Sequence, residues 1–118
     1  MAPGDFHRAE VPFLNRPGSK NRIVLIVKEL ENDDVLVIES RGNPHLNLDL
    51  LGVVDFSRRG YAGLRVGGTS HFYAENLRVL KKDIISKDPV GGLTAADFKT
   101  FFDKIDALLN DETNEPTP

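Results

Sequence analysis

The sequence predicts a mainly β domain, a small and partly open barrel that is closed by one C-terminal helix. Two observations predict this class. Short apolar segments rich in β-branched residues alternate with turn signals, and the clearest helical periodicity comes last. A chain of 118 residues suits one domain that buries a core without disulfides. We therefore assign residues 1–110 to a single domain and predict that the polar tail 111–118 is disordered.

The first half of the chain contains three strand candidates. Asp5 to Val11 is short, and the turn-rich segment Leu14 to Asn21 separates it from the next candidate. Arg22 to Glu29 and Val35 to Ser40 carry apolar, β-branched runs without alternation, which are typical of buried strands. The turn Asn32-Asp33-Asp34 between these two strands predicts a hairpin.

The second half is less regular. Leu46 to Phe56 is apolar-rich, and Gly60 to Gly68 is glycine-spaced, which predicts a loop or a bulged strand. Ser70 to Val79 is a further strand candidate, whereas Leu80 to Asp88 fits either a strand or a short helical turn. The residues expected in the core are Leu48, Leu50, Val54, Phe72 and Ala74, with Leu77 and Val79 as further candidates.

The last element is an amphipathic helix. Thr94 caps its start, and Asp97, three residues later, completes an imperfect capping box. Its apolar face comprises Phe98, Phe101, Phe102, Ile105, Leu108 and Leu109. We expect this face to cover the open end or side of the barrel, and a partner-binding or dimer helix is the alternative.

Charge is unevenly distributed along the chain. The formal net charge is −3, and the residues from Asp103 onward carry five acids and one base, so the first 102 residues carry +1. This balance neither excludes nor supports RNA as a ligand. The chain has no cysteine, no leader-like start and no long apolar run. We therefore predict no thiolate metal site, no membrane span and a cytoplasmic location.

The order of several short motifs resembles the MazF/PemK toxin family. The opening of these toxins runs Gly-Asp, a short strand, a Gly-containing loop, an Arg-Pro pair and a Val/Leu strand. The similar motifs here are Pro3-Gly4-Asp5-Phe6, Pro17-Gly18-Ser19-Lys20-Asn21-Arg22 and Ile23-Val24-Leu25-Ile26-Val27. Later motifs that match in order are Gly63-Leu64, Thr69-Ser70, Leu77-Arg78-Val79-Leu80 and Gly92-Leu93-Thr94-Ala95-Ala96-Asp97. Together they span nearly the whole domain.

The resemblance implies an SH3-like barrel of the MazF/PemK/CcdB kind that forms a homodimer. It implies an endoribonuclease that cleaves single-stranded RNA without a metal or another cofactor and leaves a cyclic phosphate. It also implies a cognate antitoxin protein that occupies the RNA groove.

Such cleavage needs a base for the ribose 2′-hydroxyl, an acid for the leaving 5′-oxygen and a cation for the phosphorane. Arg22 matches the family's arginine at the start of the second strand. The resemblance therefore implies that Arg22 stabilises the phosphate or acts as the general acid. Ile23 replaces the family's proline, and a solvated arginine at a strand edge is the alternative interpretation.

PemK-like members also carry an Arg-x-Asp pair on a middle strand, and Tyr73 and Glu75 occupy the matching positions. Residues two apart on a strand face the same side. The resemblance implies that Glu75 is the base and that Tyr73 donates a hydrogen bond or stacks on a base. The alternative is that both are ordinary outward residues of a half-buried strand.

The remaining predicted contacts lie at the end of the second hairpin strand and nearby. Ser40 stands where the family has a Thr or Ser that touches the scissile phosphate, and Arg41 supplies the cation that Tyr73 lacks. Lys20 and His71 complete the predicted RNA contacts, and no metal site is expected.

Two other functions stay open at this point. A catalytically weak barrel that binds nucleic acid or a protein partner is favoured by the Arg-to-Tyr and Pro-to-Ile replacements, because one fold hosts many functions. Gyrase-poisoning toxins resemble the same barrel and end in a helix whose last residues contact gyrase. The polar tail 111–118 lacks the apolar or aromatic ending expected of them.

Overall fold

The computed structural model describes residues 1–56 and 69–113. Its strands are β1 Asp5–Pro12, β2 Ser19–Glu29, β3 Asp34–Arg41, β4 Leu50–Asp55, β5 Thr69–Lys81 and β6 Gly91–Gly92. A 3-10 turn spans Lys82–Ile84, and the helix α1 spans Ala95–Thr113. β1, β3, β5 and α1 correspond to predicted elements, whereas β2 begins at Ser19, three residues inside the segment Leu14 to Asn21 that was predicted as a loop. β4 lies in Leu46 to Phe56, which the sequence marks only as apolar-rich.

The strands form one antiparallel sheet in the order β4-β5-β3-β2-β1-β6. The sheet curls into a half-barrel, which confirms the predicted fold class of a mainly β, partly open barrel with a C-terminal helix. The predicted hairpin is also confirmed, because β2 pairs with β3. Asn32 and Asp33 in its turn adopt positive φ of 59° and 61°, a conformation that Asn and Asp tolerate better than most residues.

Both faces of β2 are buried, which explains why Ile23 to Val27 shows no alternation. Each of these five residues is at most 5 % exposed. One face joins a cluster that includes Phe6, Leu25, Ile38, Phe72, Phe101 and Ile105. The other face joins a second cluster that includes Val11, Val24, Ile26, Val35, Val37 and Ile85. The first is called the helix-side cluster below.

The helix packs against β4 and covers one side of the sheet, as the amphipathic pattern predicts. The backbone N–H of Asp97 donates to Thr94 Oγ1 at 3.2 Å, which confirms the predicted cap. Phe101 and Ile105 are buried, and the ring of Phe101 lies so close to Gly52 that a Cβ there would collide with it. Gly52 thus lets the helix approach the strand.

Leu50 and Val79 were predicted in the core but are exposed, and a register shift contributes to the exposure of Leu50. Leu50 is 45 % exposed because the shift in the β4–β5 pairing between Leu50 and Gly52 turns its neighbour Leu51 inward beside Val54. Val79 is 49 % exposed because it lies near the end of β5, away from the strand that the helix covers. The expected core residues Val54 and Phe72 are buried, and Leu48, Ala74 and Leu77 are half-buried.

Several boundaries are refined by the structure. The ambiguous segment after Val79 continues as strand to Lys81 and then forms the 3-10 turn. The helix extends through Thr113, three residues beyond the predicted domain end, and residues 114–118 of the predicted tail lie outside the described part. The prediction for Gly60 to Gly68 also concerns residues that the structure does not describe. Within the described ranges, no helix is long and apolar enough to cross a bilayer.

Candidate functional site

Two adjoining depressions share Arg22. The serine pocket, of about 190 Å³, is lined by Arg8, Asn21, Arg22, Ile23, Ser40, Gly42 and Ser70. The glutamate pocket, of about 450 Å³, is lined by Val11, Pro12, Phe13, Leu14, Asn15, Arg16, Lys20, Arg22, Glu39 and Arg78. A ligand in either pocket can therefore contact the side chain of Arg22.

The serine pocket is built on the face of the sheet that carries the helix-side cluster. Ser40 pairs with Phe72 across β3 and β5, and Ser70 lies two residues before Phe72 on the same face. Arg8 pairs with Ile23, which belongs to the same cluster. Both serines are buried, at 7 % and 4 % exposure, so their hydroxyls are held in fixed surroundings.

The glutamate pocket lies on the opposite face of the sheet, where β2 and β3 extend beyond the second cluster. Lys20 and Arg22 alternate with Val24, so all three share a face. Arg78 Nη1 donates to Glu39 Oε2 and to the carbonyl oxygen of Pro12, at 3.2 Å in each case. Lys20 and Arg22 make no ion pair within residues 1–56 and 69–113. Two cations here are therefore unneutralised and suited to phosphate.

The loop between β1 and β2 forms the outer wall of the glutamate pocket. The guanidinium of Arg16 lies 4.2 Å above the ring of Phe13, which is a cation–π contact. The N–H of Phe13 donates to the carbonyl of Gly18, whose φ of 103° favours glycine, and this bond closes the loop. Leu14 is 83 % exposed at its tip.

Tyr73 and Glu75 hold the connection between β3 and β4. Tyr73 is 2 % exposed, and its hydroxyl oxygen accepts a hydrogen bond from the backbone N–H of His45 at 2.6 Å. The carboxylate of Glu75 accepts from the N–H of Asp49 at 3.0 and 3.3 Å. Neither lines the serine or the glutamate pocket. The alternative that Tyr73 points outward is wrong, because its ring is buried.

Tyr73 and Glu75 both reach the connection between β3 and β4, and a bulge in β5 keeps them out of the two pockets. Ile38 pairs with Leu77 and Ser40 pairs with Phe72, so two steps on β3 correspond to five on β5. Residues 73–76 stand opposite Glu39 alone, three more than regular pairing allows, and this excess carries Tyr73 and Glu75 toward the connection Gly42 to Asp49. Gly42 lines the serine pocket, so Tyr73 and Glu75 support its wall through this connection.

Arg41 and His71 face each other across β3 and β5. The ring of His71 is parallel to that of Tyr73, with 6.3 Å between centroids, and its Nδ1 is buried without a partner in the described part of the chain. Neither residue lines the serine or the glutamate pocket.

The structure thus brings Arg22 together with Ser40 in one pocket and with Lys20 in the other. It does not bring Glu75, Tyr73, Arg41 or His71 into either. Sequence reasoning assigned no role to four residues that line the pockets, namely Arg8, Glu39, Ser70 and Arg78. Glu39, Ser70 and Arg78 lie in or beside the motifs that suggested the family, but only the strand register shows that Glu39 meets Arg78 and that Ser70 shares a face with Ser40.

A larger depression, of about 930 Å³, lies elsewhere and is lined in part by Lys81, Lys82 and Lys87. Lys81 pairs with Asp34 and Lys82 pairs with Glu29, both at 2.8 Å. Hydrogen bonds from Lys82 and the N-terminal amine lower the pKa of Glu29 from its ordinary value of 4.5 to about 2. Because two of its lysines are neutralised, this depression is a weaker anion site than the two that share Arg22. No cluster suited to a metal ion occurs among the described residues.

Comparisons with known proteins find a structure with a similar fold. No protein-family model matches the sequence, and no curated protein matches it significantly. Among solved structures, the chain is similar to an endoribonuclease in complex with its cognate antitoxin from a mycobacterial species, with a TM-score of 0.60 and 18 % identity. The similarity covers 100 % of this chain and 99 % of that chain. The fold of this chain is therefore similar to the fold of that endoribonuclease.

Proposed function

We propose that this protein is a toxin-like endoribonuclease that cuts single-stranded RNA without a metal and is neutralised by a cognate antitoxin. The observation that carries the proposal is the serine pocket, in which Arg22 and Ser40 meet. The resemblance assigns these two residues to the scissile phosphate. The fold shared with an endoribonuclease captured with its antitoxin supports the same activity and the same kind of partner.

The two residues suit complementary parts of the reaction. A phosphorane carries more negative charge than the phosphodiester, so fixed donors that point at its oxygens lower the barrier. The guanidinium of Arg22 offers paired donors, and the buried hydroxyl of Ser40 adds a third. Lys20, in the adjoining pocket, adds a further cation for the phosphate backbone of the strand.

Arg41, His71, Tyr73 and Glu75 keep their predicted roles in this proposal, and their contacts set the conditions. Arg41 and His71 would contact RNA beyond the two pockets. Tyr73 would reach a base only after the hydrogen bond from His45 breaks and the connection Gly42 to Asp49 opens. Glu75 would serve as a base only after it releases Asp49. A homodimer in the cytoplasm, with RNA bound in a groove that the antitoxin blocks, completes the proposal.

The first test is cleavage of a long single-stranded RNA by the purified protein in EDTA, with the ends mapped by primer extension. We expect discrete cuts that vanish in Arg22→Ala. Lys99→Ala is the matched control, because Lys99 is an exposed helix residue paired with Asp103 and far in sequence from either pocket. Absence of cleavage at high protein concentration, with the fold intact by circular dichroism, would reject the enzyme proposal.

A second candidate function is a binding module on the same barrel. The specific observation in its favour is that Tyr73 replaces a cation and is sealed inside the fold. A protein that retains RNA, or an antitoxin-like partner, without cutting RNA would support this candidate instead.

A further inference from the structure

Glu39 is the carboxylate that shares a pocket with Arg22. Glu75 is bound to the N–H of Asp49 and lines neither the serine nor the glutamate pocket, whereas Glu39 lines the glutamate pocket. We propose that Glu39 is the general base that accepts the proton of the ribose 2′-hydroxyl. The inference rests on the proposed endoribonuclease function and replaces Glu75 in the role that the resemblance suggested.

The strand register places Glu39 between two arginines on one face of the sheet. Glu39 pairs with Val24, and Arg22 lies two residues before Val24. Arg78 pairs with Val37, which lies two residues before Glu39. Residues two apart on a strand share a face, and diagonal cross-strand neighbours are about 7–8 Å apart. A phosphate held by Arg22 therefore lies within side-chain reach of Glu39.

One oxygen of the Glu39 carboxylate is held by Arg78, and the other is available to a ligand. Arg78 donates to Oε2 at 3.2 Å and is itself fixed by its bond to the carbonyl of Pro12. Oε1 accepts no hydrogen bond from the described residues. The side chain of Glu39 is 20 % exposed, so a ligand in the pocket can reach it. A fixed carboxylate with a free oxygen is what a general base needs.

The proposed step is balanced by groups that line the two pockets. Oε1 of Glu39 takes the proton from the 2′-hydroxyl, and the 2′-oxygen forms a bond to phosphorus. The bond from phosphorus to the 5′-oxygen breaks, and the ammonium of Lys20 gives that oxygen a proton. Arg22 offsets the charge on the phosphorane. The products are a 2′,3′-cyclic phosphate and a 5′-hydroxyl.

The test compares Glu39→Gln with Glu75→Gln in single-turnover cleavage of the same RNA. The glutamine amide oxygen can still accept a hydrogen bond from Arg78, so Glu39→Gln removes the basic oxygen and the negative charge but keeps this contact. We expect the cleavage rate to fall by about 10²–10⁴-fold in Glu39→Gln. Binding of a 2′-O-methyl RNA, which has no nucleophile, should be unchanged or tighter because a negative charge is lost.

The conservative variant Glu39→Asp separates a base from a supporting residue. It keeps a carboxylate but withdraws it by one methylene, so we expect cleavage to persist at a lower rate. Glu39→Gln keeps the length of the side chain without the basic oxygen, so we expect it to lose more activity than Glu39→Asp. If Glu39→Gln fails to fold by circular dichroism, Glu39→Asp alone decides.

Three outcomes would overturn the inference. Wild-type rates in Glu39→Gln would remove Glu39 from the reaction. A loss confined to Glu75→Gln would return the base to Glu75. An inactive wild type would reject the endoribonuclease proposal and the inference together, which distinguishes that failure from the first two.

Discussion

Ser40 is the residue on which the serine pocket can be tested most directly. Ser40 is buried and lines the same pocket as Arg22, and removal of one preorganised donor to a developing oxyanion costs about 10²–10³-fold in rate. We therefore expect Ser40→Ala to lower the single-turnover rate by about 10²-fold with RNA binding retained. Ser70→Ala is the matched control, because Ser70 lines the same pocket and has no assigned role. Equal losses in both variants would mean that pocket packing, not the Ser40 hydroxyl, matters.

At the same scale, the sequence predicted some site residues better than others. Arg22 lies in β2 just before its apolar run and Ser40 lies near the end of β3, and both line the serine pocket. Tyr73 and Glu75 lie in the bulge between Phe72 and Leu77, where the regular pairing of β5 with β3 is interrupted. Neither glycine nor proline occurs in residues 70–79 to signal the bulge.

At the scale of elements, the order of the strands and the helix was predictable because local sequence patterns indicate each of them. The apolar run of β2, the turn at Asn32 and the amphipathic face of α1 are each local signals. Register is not local. The inward turn of Leu51 in place of Leu50 depends on how β4 meets β5, and the contact of Glu39 with Arg78 depends on how β3 meets β5. For this reason the glutamate pocket was not predictable.

The contact between α1 and β4 can be tested at Gly52. A Cβ there would collide with the ring of Phe101, which is buried in the helix-side cluster. Overpacking of this kind costs about 1–3 kcal/mol, so we expect Gly52→Ala to lower the urea midpoint by that equivalent at an unchanged m value. Gly42→Ala is the matched control, since nothing lies within 4 Å of a Cβ at Gly42. Equal midpoints for the two variants would contradict the close packing of helix and strand.

At the scale of the whole molecule, the formal net charge of −3 opposes RNA binding, yet five cationic residues line the two pockets that share Arg22. Binding should therefore depend on this local cluster and weaken with salt. For single strands, each neutralised phosphate contributes about −0.7 to the slope of log affinity against log salt. We expect Lys20→Ala to reduce the slope by about this amount for a 2′-O-methyl RNA, measured by fluorescence anisotropy. Lys99→Ala, which removes an exposed cation from the helix, should leave the slope unchanged. Equal effects of the two variants would show that RNA binding depends on the total charge of the protein. This result would contradict the proposal that the two pockets bind the phosphate backbone.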